Sequence, residues 1–395
     1  MDIYFISTIA IVYMINILSS ISGIGGSILL IPTYILVAKL DIHDAVPLST
    51  ITVAGSTLVR LLYYFPKTYD MPTRRYIVDY KTIILMFPFD AYLAYIGVII
   101  NRLAPSWIII ILVLVIIFIL FIQTLRQSYK QWKGERKIKD DPTELVIINT
   151  EPDAESHSHS SSDSTTESES EGNTGDSCIM RYISLGIILA VETVIIGFSV
   201  VREVLEKCSP AFWVIVGSQI VVLFFIGIGL SCYVIHRHRR EVNRNIKSVK
   251  SDISWNIRRA ILFAAFSSLV GFISTLLGGG GGMFKLPFLL YIGMEPRIAS
   301  ATISVSTFFT STNSLIQYAL TGEILWTYAV TMSITAMAGT LNGLLLSNCI
   351  FKRYGKQFFI ALIFGILLFL SFVALTYFNV TSIINGREYI NEPIC

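Results

Sequence analysis

Charge is what this sequence has least of. Of its 395 residues only 14% are Asp, Glu, Lys or Arg, whereas a soluble globular protein carries about 25%. The shortage is uneven, because the charges gather in two loops and are missing from long apolar runs. Residues 105–125, PSWIIIILVLVIIFILFIQTL, contain none. About 20 apolar residues in a helix cover about 30 Å of hydrocarbon, so an unbroken run of this length fits a bilayer better than a soluble core.

Other absences narrow the function. There is no basic stripe interleaved with aromatics, which excludes a nucleic-acid partner. The five cysteines (Cys178, Cys208, Cys232, Cys349 and Cys395) are odd in number and lack metal-ligand spacing, so they read as unpaired thiols. No Ser/His/Asp order is present, and the glycine clusters lack the Lys-Ser/Thr of a phosphate loop. Neither an enzyme, a metal site nor a cofactor is expected. The apolar N-terminus has no positive n-region and reads as a first span, not a cleaved signal.

What remains is a set of twelve apolar segments, at about 3–21, 24–38, 44–65, 80–99, 105–125, 180–203, 210–235, 257–277, 281–293, 297–320, 325–348 and 357–378. The expected class is an all-α polytopic membrane protein. Segments 24–38 and 281–293 are short: 15 helical residues reach only about 22 Å. Lys and Arg mark the cytoplasmic side. They cluster at Arg126, Lys130, Lys133, Arg136, Lys137 and Lys139, and again from Arg237 to Arg259. Lys67, Arg74, Arg75 and Lys81 mark a third basic loop, and Lys352, Arg353 and Lys356 a fourth. All four share one side only if both short segments cross, which puts both termini outside. The sequon Asn379-Val380-Thr381 then also lies outside. Such a multi-pass protein belongs in the plasma membrane or an endomembrane.

Residues 126–179 are expected to form a disordered, acidic, Ser-rich cytoplasmic loop. The stretch HSHSSSDSTTESESEG has no aromatic residue and too little apolar area to fold. A plain linker is the favoured reading over a phosphorylation switch, and His157 and His159 carry only a weak metal signal.

The rest of the chain is repetitive. A shift of 255 residues places Gly23, Gly25, Gly26, Pro32, Ser49, Thr52, Ser56, Thr57 and Tyr63 on Gly278, Gly280, Gly281, Pro287, Ser304, Thr307, Ser311, Thr312 and Tyr318. Spans one to five match spans eight to twelve, seven crossings apart, an odd number, so the two five-segment repeats should be inverted. The organisation is then a repeat over 1–125, the loop, a two-helix insertion over 180–235, a basic loop over 236–256, a second repeat over 257–378 and a short tail over 379–395.

Inverted transporters hold substrate where paired short, Gly/Pro-interrupted segments meet. Here these are SGIGGSILLIP and LGGGGGMFKLP. Glycine turns expose backbone N–H groups, and a helix starting there adds about half a positive charge. Together they favour an anion without a basic side chain. The candidate binding residues are Gly23, Gly25 and Gly26 in the first turn and Gly278, Gly279, Gly280 and Gly281 in the second. Ser49, Thr52 and Ser56 line the first helix that follows, and Thr302, Ser304, Ser306, Thr307, Ser311 and Asn313 the second. Nine of the thirteen residues from 302 to 314 are polar, too many for every one to face its own helix. Among the charges within spans, Asp90 is the candidate for a coupling proton. Arg60 is expected to snorkel, Lys285 to add positive potential or reach the interface, and Glu192 to pair structurally.

The two stretches GIGGSILLIPTYILVAKLDIHDAVPLSTITVAGSTLVRLLYY and LLGGGGGMFKLPFLLYIGMEPRIASATISVSTFFTSTNSLIQY resemble the repeated motif of the sulfite exporter TauE/SafE family. IVDYKTIILMFPFDAYLAYIGVIINRLAPSW and KCSPAFWVIV resemble its eukaryotic branch. The sequence departs from the motif at Ser27, where a further glycine is common, and at Pro47. The resemblance implies a permease, often proton-linked, for sulfite, a sulfonate or a related organosulfur anion. The alternatives are a carrier or channel for another solute such as a carboxylate, and a membrane scaffold that recruits partners through the acidic loop. The expected partners are a small anion, the lipid bilayer and coupling protons; the oligomeric state is left open.

Overall fold

Backbone polar groups in hydrocarbon must be satisfied within their own segment, which leaves the helix as the default for these runs. A computed structural model of the chain describes residues 3–22, 27–68, 76–140, 168–205, 209–243, 255–278, 281–320, 322, 324–354 and 358–384. Among them every regular element is helical: α1 (Ile3–Ser22), α2 (Ser27–Leu36), α3 (Ile42–Tyr64), α4 (Tyr80–Tyr92), α5 (Ala94–Leu103), α6 (Ser106–Asp140), α7 (Ser168–Val204), α8 (Pro210–Asn243), α9 (Ile257–Leu276), α10 (Gly282–Ile292), α11 (Pro296–Leu320), α12 (Trp326–Tyr354) and α13 (Phe358–Ile384). Polar side chains set several starts. Asp41 accepts from Ile42 N ahead of α3, Asp79 from Lys81 N ahead of α4, and Asn256 from Ile257 N ahead of α9.

Eight of the described helical stretches are long and apolar enough to cross a membrane. One is α4 and α5 taken together, broken only at Leu93. The short segments appear as expected, as α2 with 10 residues and α10 with 11. Helix α11 is long, with 25 residues, but its hydroxyls keep it out of the apolar eight. Helices α6 and α7 run past the expected span ends, covering 126–140 and 168–179; residues 141–167 of the acidic loop lie outside the described residues. Large side chains such as Val115, Phe118, Val214 and Phe225 remain exposed, the pattern of a surface that faces lipid.

Helices from the two stretches that match at a shift of 255 residues pack against one another. Helix α1 packs along α12, and its counterpart α9 packs along α4 and α5. Helices α3 and α11 lie against each other and are covered by α12 and α4 respectively. Small residues permit these approaches, as at many helix crossings in membranes. At Gly271 of α9 an added Cβ would sit 1.9 Å from the Asp90 carbonyl oxygen of α4; at Gly343 of α12 it would sit 2.6 Å from the Ile17 carbonyl oxygen of α1. The insertion, α7 and α8, packs against α4, and α7 also touches α11.

Candidate functional site

The turn between α9 and α10 needs glycine. Gly278 has φ +61° and Gly281, the residue before α10, has φ +70°; side chains rarely adopt this left-handed region. Ser49 of α3 reaches across from the other copy and donates to the Gly278 carbonyl at 2.9 Å. The backbone of Phe284 and Lys285 donates to the Gly281 carbonyl at 3.2 and 3.3 Å. The N–H groups of Gly282 and Met283, the first two of the helix, have no acceptor within it. Thr307 of α11 stands over them: a Cβ on Gly282 would lie 2.6 Å from Thr307 Oγ1. That hydroxyl is buried, at 6% exposure, and has no hydrogen-bond partner among the described residues.

A small apolar void of about 10 Å³ adjoins the turn, lined by Ile31, Val113, Ile273, Ser274, Leu277, Met283 and Phe284. It therefore brings α2 and α10, the two short helices, to one place. Its volume corresponds to about one water molecule, so this void is closed to an anion in the packing seen here. Gly23, Gly25, Gly26, Gly279 and Gly280 lie outside the described residues.

One helical turn into α10, Lys285 forms an ion pair with Asp90 of α4 at 2.5 Å, both side chains being 0% exposed. Lys285 Nζ also donates to Ser306 Oγ and Thr310 Oγ1, each at 3.1 Å. Of the two readings left open for Lys285, reaching the interface is corrected: its acid partner lies inside the bundle. The second Asp90 oxygen, Oδ1, is buried without a partner.

The hydroxyl residues divide in two. Thr302 accepts from Asp79 N at 2.9 Å, Ser306 faces Lys285, and Thr307 faces the glycine turn. By contrast Ser56 donates to Val53 O, Ser304 to Ser300 O and Ser311 to Phe308 O, all on their own helices. Thr52 donates to Leu48 O and shares a bond with Tyr34 Oη at 2.6 Å.

Two further expectations are corrected. Arg60 does not snorkel: it is 6% exposed, and its Nη2 bonds Ser19 at 3.2 Å and Ser20 at 3.3 Å on α1. Glu192 has no structural pair among the described residues, where both carboxylate oxygens are buried without a hydrogen-bond partner. The sequence reading also missed a polar cluster around Arg202, which bonds Gln219 and Gln317 and lies over the Tyr95 ring. Its signal was present in two glutamines within apolar or hydroxyl-rich spans. Among the described residues no group of three His, Cys, Asp or Glu side chains is placed to hold a metal ion.

Comparison with known proteins places this geometry in context. A family model described as Sulfite exporter TauE/SafE matches residues 8–162 and 170–375. Sulfite exporter TauE/SafE family protein 5 of Arabidopsis thaliana is 25% identical over 376 residues, covering 93% of this chain and 81% of that protein. Family protein 2 of the same plant is 26% identical over 395 residues, covering 96% and 83%. A probable membrane transporter protein of Xylella fastidiosa is 36% identical over 114 residues, 28% of this chain and 42% of that protein. No solved structure matches the chain.

Proposed function

Since the chain belongs to the sulfite exporter TauE/SafE family of membrane transporters, we propose that it is a secondary transporter whose cargo is a small anion, of the sulfite or sulfonate kind. The observation that carries this reading is the buried, unpartnered Thr307 hydroxyl set against the start of α10. The first N–H groups of that helix and its positive end form an anion-binding surface, and Thr307 adds a side-chain donor. A neutral donor set suits a cargo that must also leave, because hydroxyls and amides are cheaper to desolvate than charges.

Twelve crossings, inverted halves and termini outside make up the topology of this reading. The reciprocal packing of α1 on α12 and of α9 on α4 and α5 supports it. Alternating access is then a rocking of one copy against the other. The closed void at the turn belongs to an occluded state, in which Ile31, Met283 and Phe284 form the plug. Asp90 carries the coupling proton, and Lys285 is its one ionic neighbour among the described residues.

The test is anion flux in proteoliposomes across sulfite, thiosulfate, a sulfonate, sulfate and a carboxylate, with and without a pH gradient. Sulfur oxyanion flux that the gradient drives is expected. Gly282→Leu should abolish it while the protein still inserts and purifies, and Asp90→Asn should remove the dependence on the gradient. Unchanged flux in Gly282→Leu refutes the glycine-turn site, and carboxylate flux alone refutes the cargo.

A further inference from the structure

One buried cation in this fold has no ion-pair partner among the described residues. Arg202, near the end of α7, is 4% exposed. One terminal nitrogen donates to Gln219 Oε1 at 3.1 Å and the other to Gln317 Oε1. The guanidinium carbon lies 3.3 Å from the centre of the Tyr95 ring. All of these neighbours are neutral. The acid next in the chain, Glu203, acts on the guanidinium only from an exposed position.

The guanidinium also fixes how the amides around it point. Arginine has donors only, so both glutamines must turn their oxygens toward it. Gln219 therefore turns its NH₂ away, where Nε2 is buried and finds no acceptor. Gln317 donates from Nε2 to Ser199 Oγ and Asn313 Oδ1, each at 3.2 Å. That contact orients Asn313 in turn, and its Nδ2 is likewise buried with no acceptor. The cluster thus holds a full positive charge and two unused NH₂ groups, each within two hydrogen bonds of it. Buried donors are normally satisfied. A small anion with several acceptor oxygens supplies what all three lack.

We propose that Arg202, Gln219 and Asn313 form a second anion-binding station, for a small oxyanion, where the insertion helices α7 and α8 meet α11. Asn313 lies six residues along α11 from Thr307, about 9 Å at the helical rise, and Arg202 and Gln219 stand on other helices, so the station is distinct from the glycine turn. Its donor chemistry stands apart from the transport reading, and only its role as a waiting point on the route rests on that reading. The insertion has no counterpart in the other copy of the repeat, so the station serves one mouth alone.

The experiment measures equilibrium binding of radiolabelled sulfite and thermal melting on the purified full chain in detergent. Gln219→Glu places a carboxylate of the same shape against the guanidinium and supplies the missing charge internally. Melting at or above that of the unaltered chain is expected, with sulfite affinity about tenfold weaker or worse. Asn313→Asp should act in the same direction. The loss should also appear in a Thr307→Val background, where the glycine turn is impaired, so the two sites fail separately. Sulfite affinity unchanged in both acid variants overturns the station. So does a lowered melting temperature in both, because that assigns the amides a purely structural part.

Discussion

Helices α3 and α11 lie in the two stretches that match at a shift of 255 residues, yet they spend their hydroxyls differently. On α3 the side chains of Thr50, Ser56 and Thr57 donate to backbone oxygens one turn earlier. On α11 Ser306 and Thr310 hold the Lys285 ammonium, Thr302 holds the Asp79 amide, and Thr307 and Asn313 keep donors unused. The count of hydroxyls is therefore a poor guide to a site. What matters is where each hydrogen bond goes: on α11 hydroxyls hold a buried ammonium or stay unused, while on α3 they return to the helix or tie it to Gly278, Tyr34 and Ser311.

The difference can be broken at its strongest point first. Lys285→Met leaves the Asp90 carboxylate buried and unpaired, and should cost about 3–5 kcal/mol. Adding Asp90→Leu should recover most of that, as read from melting curves in detergent. Next in size is Thr310→Val, which removes an acceptor from a buried ammonium and should cost about 1.5–3 kcal/mol. Ser49→Ala takes a bond from the Gly278 carbonyl and should cost about 1 kcal/mol; a larger loss would move α3 into the working half of the comparison. Ser56→Ala, whose donor points at its own helix, and Thr57→Val, whose hydroxyl bonds its own helix and lies a long 3.4 Å from Ser311 Oγ, should change stability by no more than about 0.5 kcal/mol. Thr307→Val should be equally silent in melting, because it deletes an unpaired polar group, yet it should lower anion flux several-fold. Silence in both measurements would leave the two helices alike.

Much of this was readable before any fold was known. The short apolar segments at 24–38 and 281–293 hold the short helices α2 and α10, since the glycine clusters before them were visible in the sequence. The glycines at 278 and 281 were flagged by composition and take up left-handed backbone. Partners were not readable. Lys285 and Asp90 are 195 residues apart, and nothing local tells a lysine beside a glycine turn whether acid or water awaits it. Arg202 and Arg60 both fell late in a span, where snorkelling is the default; only the packing of α8 and α11 over one, and of α1 over the other, reveals their burial. The extension of α6 and α7 beyond the hydrocarbon was hidden for a related reason. Polar helix outside a bilayer leaves no hydropathy signal.

The ion pair of Asp90 and Lys285 has a consequence for synthesis. The ribosome delivers α4 to the membrane long before α10 exists, so the carboxylate must sit in the half-made bundle without its ammonium. A nascent chain arrested after α8 should therefore be recognised as unfinished by the machinery that inserts and inspects membrane proteins. Expressing the chain as two fragments, cut in the acidic loop, should rescue each piece only when both are present.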